Sequence, residues 1–144
     1  MMATAGFDTF DTTVQETNIW LKSVMHELHI DDGALAWTLL GATLHALRDR
    51  LQPQSAAHLG AQLPMLVRGL YYEHWPVAAT PTKERHKAQF LEHFAATLPP
   101  GVALEPERVA RAVFWVIREK IDPGAVAKLV NRLPKELRVL WEAD

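Results

Sequence analysis

No cysteine occurs among the 144 residues. Disulfides, zinc–thiolate sites, iron–sulfur clusters and a cysteine nucleophile are thereby excluded. Glycines are few and scattered singly, so no glycine-rich phosphate loop can be drawn. The only serines, Ser23 and Ser55, lie outside any G-x-S-x-G elbow, and a hydrolase triad has no nucleophile to build on. Long apolar runs are missing too. The densest stretch, Ala34 to Leu47, is interrupted by Thr38, Thr43 and His45, short of the ~18 apolar residues a membrane span needs. Met1 to Phe10 carries Asp8 and no Lys or Arg, unlike the basic start of a secretory signal. These features point to a cytoplasmic chain without a membrane segment.

Charge of one sign is also lacking. The formal net charge is −2, so a blanket electrostatic grip on nucleic acid is not expected. The halves differ mildly: four basic against eight acidic residues up to Trp75, and eleven against nine from Pro76 onward. Apolar residues make up 49% and charged residues 22%, an ordinary globular balance. A chain of this length buries about two-thirds of its unfolded surface in one domain, here residues 1–144.

The most informative feature is internal repetition. Displaced by seventy positions, Leu63-Pro64 falls on Leu133-Pro134, Arg48 on Arg118, Pro53 on Pro123, Leu59 on Leu129 and Arg68 on Arg138. Conservative matches fill the gaps, among them Asp49/Glu119, Leu51/Ile121, Tyr71/Trp141 and Trp20/Phe90. The register predicts two helical units of about seventy residues, 5–75 and 76–144, packed with approximate two-fold symmetry. A unit of that size has a marginal core alone, which favours face-to-face packing.

Each unit reads as two longer helices followed by two short ones, an all-α bundle. In the first helix Phe7, Phe10, Val14, Thr17, Leu21, Val24 and Leu28 recur at steps of three and four, one stripe on a helix face. Asp31, Asp32 and Gly33 mark its end. The second, about Ala34 to Leu51, is apolar nearly all round, as a central helix should be. Pro53 opens a short helix and Pro64 the next, because proline tolerates the helix start, where no backbone donor is needed. In the second unit Thr80-Pro81 reads as a cap and start, Pro99-Pro100-Gly101 as a stop, and Pro106, Pro123 and Pro134 as further starts. No segment alternates with a period of two, so no sheet is expected.

These residues carry a resemblance. Phe7-Asp8-Thr9-Phe10, the long run His58-Leu59-Gly60-Ala61-Gln62-Leu63-Pro64, its continuation Leu66 to Glu73, then Trp75, Pro81, Lys83, Arg85, Phe90-Leu91 and Leu133 to Leu137 resemble the bacterial family filed as domain of unknown function 2267. The resemblance implies a helical fold and a bacterial cytosolic setting. It brings no catalytic or binding residues with it.

Candidate sites come from the residues alone. His26 and His29, three apart at the end of the first helix, form a possible metal pair beside Glu27, Asp31 and Asp32, though surface histidines near a helix end explain them more simply. The spacing is not that of H-E-x-x-H. His45, a turn from Arg48 and Asp49, has the neighbours of a general base, though a hydrogen-bonded core or boundary histidine explains it more simply. Arg48-Asp49 and Arg118-Glu119 recur in both units with Arg68 and Arg138. Pairing of Asp49 with Arg68, and of Glu119 with Arg138, is expected to hold the fold, with two anion sites as the alternative. Lys83, Arg85, His86 and Lys87 form a basic stretch broken by Glu84 and without interleaved aromatics, a solvated helix face rather than a nucleic-acid platform. Tyr72 and Trp75, crowding the connection, are candidates for a partner contact. The residues thus favour a non-enzymatic interaction module that binds a protein partner or itself and needs no cofactor. A small-ligand or metal-binding protein is the alternative.

Overall fold

The computed structural model describes residues 8–143. Within them the chain forms eight α-helices and no strand: α1 (Asp8–Leu28), α2 (Gly33–Arg50), α3 (Pro53–Gly60), α4 (Met65–Tyr72), α5 (Lys87–Thr97), α6 (Pro106–Lys120), α7 (Pro123–Asn131) and α8 (Lys135–Arg138). Single 3-10 turns at Val77–Ala79 and Val139–Trp141 follow α4 and α8. The all-α class is therefore established, and the prolines at 53, 106 and 123 each open a helix.

The helix that looks central in the sequence, α2, is central, and α6 shares that place. α2 packs against α1, α3, α4, α5 and α6, while α6 also meets α1, α5 and α7. One apolar cluster joins both halves of the chain, with Leu39, Leu44, Leu47, Val113, Phe114 and Ile117 fully buried. Gly41 lets α4 approach α2 closely, since a Cβ there would stand 3.0 Å from Leu70 Cδ1. Burial of each of these leucine and phenylalanine side chains contributes about 1.5–3 kcal/mol.

Three expectations are corrected. The buried line of α1 runs through Thr13, Thr17, Trp20, Val24 and Leu28, leaving Phe10 and Val14 exposed. Phe7 lies outside the described residues. Thr13 goes inward in place of Val14, and the hydroxyls of both buried threonines have backbone partners. Thr17 Oγ1 donates to Thr13 O at 2.7 Å, and Thr13 Oγ1 accepts from Leu66 N at 3.4 Å. That second bond satisfies a free amide in the first turn of α4, whose own N-cap, Pro64, offers no side-chain acceptor.

Thr80-Pro81 does not start a helix. The bond between them is cis, and α5 begins at Lys87. The backbone between is engaged elsewhere: Thr82 N donates to Asp49 O at 2.7 Å, and Arg50 Nε donates to Glu84 O at 2.6 Å. The segment is thus laid across the end of α2. At the start of α5, Glu136 of α8 accepts from Lys87 N at 3.2 Å.

The third correction concerns the arginine–carboxylate pairs. Asp49 pairs with its neighbour Arg48, at 2.8 Å, rather than with Arg68. Arg68 instead donates to the carbonyls of Gly60 (3.0 Å) and Leu63 (2.8 Å), and Arg138 to those of Leu133 (3.0 Å) and Asn131 (3.2 Å), while Glu119 stands exposed. A helix leaves its last carbonyls without intrahelical donors, and a guanidinium satisfies two of them at once. The arginines therefore close the turns after α3 and α7.

Candidate functional site

Arg48 is the most deeply buried charge, 2% exposed. Its Nη1 donates to Tyr71 O at 2.6 Å and to Glu73 O at 2.8 Å, sealing the end of α4. Arg118 Nη1 donates likewise to Trp141 O, from a more exposed position. Arg50, Arg108 and Arg111 also end on backbone carbonyls. Seven of the nine arginines are thus engaged by the main chain, leaving Arg85 and Arg132.

The histidines divide by environment. His26 and His29 are both exposed. His29 has φ 55, with His29 N donating to His26 O and Ile30 N to Met25 O. This is the 6→1 and 5→2 pair of a Schellman motif, with His29 in the position glycine usually takes. Its backbone is thus what ends α1. Among the described residues, no group of three or more His, Asp or Glu side chains is placed to hold a metal. His45 is half-buried, its Nε2–H donating to Leu70 O at 2.7 Å. Burial lowers its pKa, opposed by that hydrogen bond, which also ties the ring to the end of α4.

In the basic stretch, His86 Nδ1 meets Glu136 at 2.7 Å, and His93 Nδ1 meets Glu84 at 2.7 Å. Burial works to raise the Glu84 carboxyl, yet the His93 bond helps hold it below its ordinary value. Lys87 lies 3.3 Å from Glu107. Much of this stretch's charge is therefore answered within the protein.

Tyr72 and Trp75 are half-buried rather than free. Their rings lie 5.6 Å apart, and Tyr72 stands edge-on to Tyr71 at 5.0 Å. Tyr72 covers Gly60, where a Cβ would come within 2.2 Å of its hydroxyl oxygen, and that hydroxyl donates to Ala57 O at 3.4 Å. Tyr71 Oη donates to Ala56 O at 2.7 Å. Both tyrosines thereby brace α3 against α4.

The face of α3 turned toward α7 carries what the sequence reading missed. A groove of about 590 Å³ runs between the two helices. Leu59, Leu129, Ile121 and Ala125 line it with apolar surface, while Ser55, His58, Gln62, Lys128 and Arg132 supply polar groups. Asp122 is the acid there, and its Oδ2 accepts from Ala125 N at 3.1 Å as the N-cap of α7. Eight of the lining positions form pairs seventy apart in the sequence: Ser55/Ala125, His58/Lys128, Leu59/Leu129 and Gln62/Arg132. That register was the available signal. It could not show that α3 and α7 lie side by side. A second cavity, of about 530 Å³, lies between α6 and the chain end at Trp141 and Glu142, with Arg108 and Arg111 in its wall.

No curated protein matches this sequence. The family described as an uncharacterized conserved protein, DUF2267, matches residues 17–140, and the chain belongs to that family.

Proposed function

We propose that this member of the family is a helical binding module rather than an enzyme, and that it takes a protein partner in the groove between α3 and α7. The observation that carries the reading is the apolar lining of that groove, whose volume of about 590 Å³ lies in the range of pockets that take ligands. Four of its apolar side chains lie between two short helices whose polar residues stand at the rim, the anatomy of a contact with an apolar centre and wet edge. Tyr72 and Trp75 support it from behind, since Tyr72 packs on Gly60 and so sets the position of α3. Catalysis has less to draw on. The half-buried histidine, His45, has its Nε2 bound to a backbone carbonyl.

We read the groove as the place where two copies of one helical unit meet, a reading supported by the seventy-residue spacing within pairs of its lining positions. The bacterial cytosol is the setting that the resemblance implies, and the partner is to be sought there. A photo-crosslinking amino acid at exposed Gln62 tests the module in its own host, with exposed Ala88 on α5 as control. A discrete adduct at Gln62 alone, abolished when Ala125→Trp fills the groove, is the expected result. Equal crosslinking at both positions, or adducts indifferent to Ala125→Trp, would end the proposal.

A further inference from the structure

Resting on that reading of the groove, we infer that the occupant is a short acidic amphipathic helix of a protein partner. The charge of the rim is the first argument. Lys128 and Arg132 face the groove with the His58 imidazole, while the one carboxylate there, Asp122, is turned to the amide of Ala125. Arg132 is set apart from most of the arginines. Seven others donate to main-chain carbonyls, and among the described residues neither a carbonyl nor a carboxylate takes the Arg132 guanidinium. A planar fork left open beside an apolar floor suits a carboxylate.

Shape narrows the occupant further. Leu59 and Leu129 sit at the floor, 4% and 6% exposed, so an occupant must insert side chains to reach them. The walls are helices, whose backbone groups are internally bonded, so a strand has no edge to pair with. With α3 eight residues long and α7 nine, the two walls are each about 12–14 Å long. Two turns of a partner helix match that length, with apolar anchors three or four residues apart and acids flanking them. The lining holds no Phe, Tyr or Trp on which a nucleobase could stack.

Three synthetic helical peptides test this against the full chain by fluorescence anisotropy. All carry the same leucine spacing, with Glu, Gln or Lys on the flanking faces. The Glu peptide is expected to bind about tenfold tighter than the Gln peptide, as two rim ion pairs would provide. Raising salt from about 50 mM to about 500 mM should remove most of that advantage. The double variant Lys128→Glu/Arg132→Glu, at two exposed positions where circular dichroism checks the fold, should prefer the Lys peptide. Equal binding of the Glu and Gln peptides overturns the acidic preference and leaves the groove standing. Binding of none, while Gln62 still crosslinks in the host, overturns the helical occupant alone. Salt-sensitive self-association of the unmixed chain, lost in the double variant, would replace the partner by a second copy and overturn the proposal.

Discussion

Arg48 Nη1 stands 2.6 Å from the Tyr71 carbonyl oxygen, so a buried guanidinium on α2 closes the end of α4 two helices later in the chain. Glu73 O and Asp49 Oδ1 complete its partners, at 2.8 Å each. A buried cation held by two carbonyls and a carboxylate is stable, whereas removing it leaves those three acceptors without their donor.

Arg48→Ala is therefore expected to lower the unfolding free energy by about 3–5 kcal/mol. Arg48→Lys should recover only part of that, because an ammonium cannot reproduce the fork. Arg118→Ala, removing the exposed counterpart bond to Trp141 O, should lose about 1 kcal/mol. Urea unfolding of the three variants checks the order.

His29 occupies the left-handed region at φ 55, where a side chain with a Cβ is strained and glycine is not. His29→Gly should raise stability by about 1 kcal/mol, and His29→Val should lower it. Thermal unfolding of the pair decides the point. A loss of stability in the glycine variant would mean that the imidazole has a role besides ending α1.

Gly60→Ala places a methyl group against Tyr72, whose hydroxyl oxygen would lie 2.2 Å away. The ring must swing out, at a cost of about 1–3 kcal/mol. Near-ultraviolet circular dichroism should change as the Tyr72–Trp75 contact is lost. Because the same ring braces α3, the variant should also weaken crosslinking from Gln62.

Acid should destabilise the protein in two stages. Burial lowers the His45 pKa below its ordinary 6.5, so between 6.5 and the folded value only the unfolded chain binds that proton. Stability falls with pH across this window and levels off below it. Glu84 is held below its ordinary 4.5, so its contribution is present above 4.5 and fades as pH falls through the folded value. Unfolding free energy measured from neutral pH downward should show both slopes. His45→Gln, which keeps a donor for Leu70 O, should remove the upper slope alone.

Much of the fold was legible because periodicity and proline act locally. Val109, Ala110, Val113, Phe114 and Ile117 recur at helical spacing, and all are buried on α6. Pro53, Pro106 and Pro123 open helices because their fixed φ suits a helix start wherever it occurs. Local pattern fails where a partner from a distant element decides. Thr13 competes with Phe10 and Val14 for the inward face of α1, and its partner there, the Leu66 amide, lies fifty-three residues away. Thr80-Pro81 has the chemistry of a helix start, but Asp49 O binds the backbone that would have wound. Asp49 and Arg68 match in charge, yet helix ends nearer to hand take the arginine.

The candidate site divides along the same line. The sequence by itself determined the helical class, family membership over 17–140 and the chemical types at 58, 62, 128 and 132. Each follows from order along the chain. Only the tertiary structure decided that α3 and α7 lie together, that Leu59 and Leu129 share one floor, and that Arg132 escapes the backbone bonds that hold most of the arginines. The first two are relations between residues about seventy positions apart. Burial of the common core brings them together, and no local preference encodes which faces will meet.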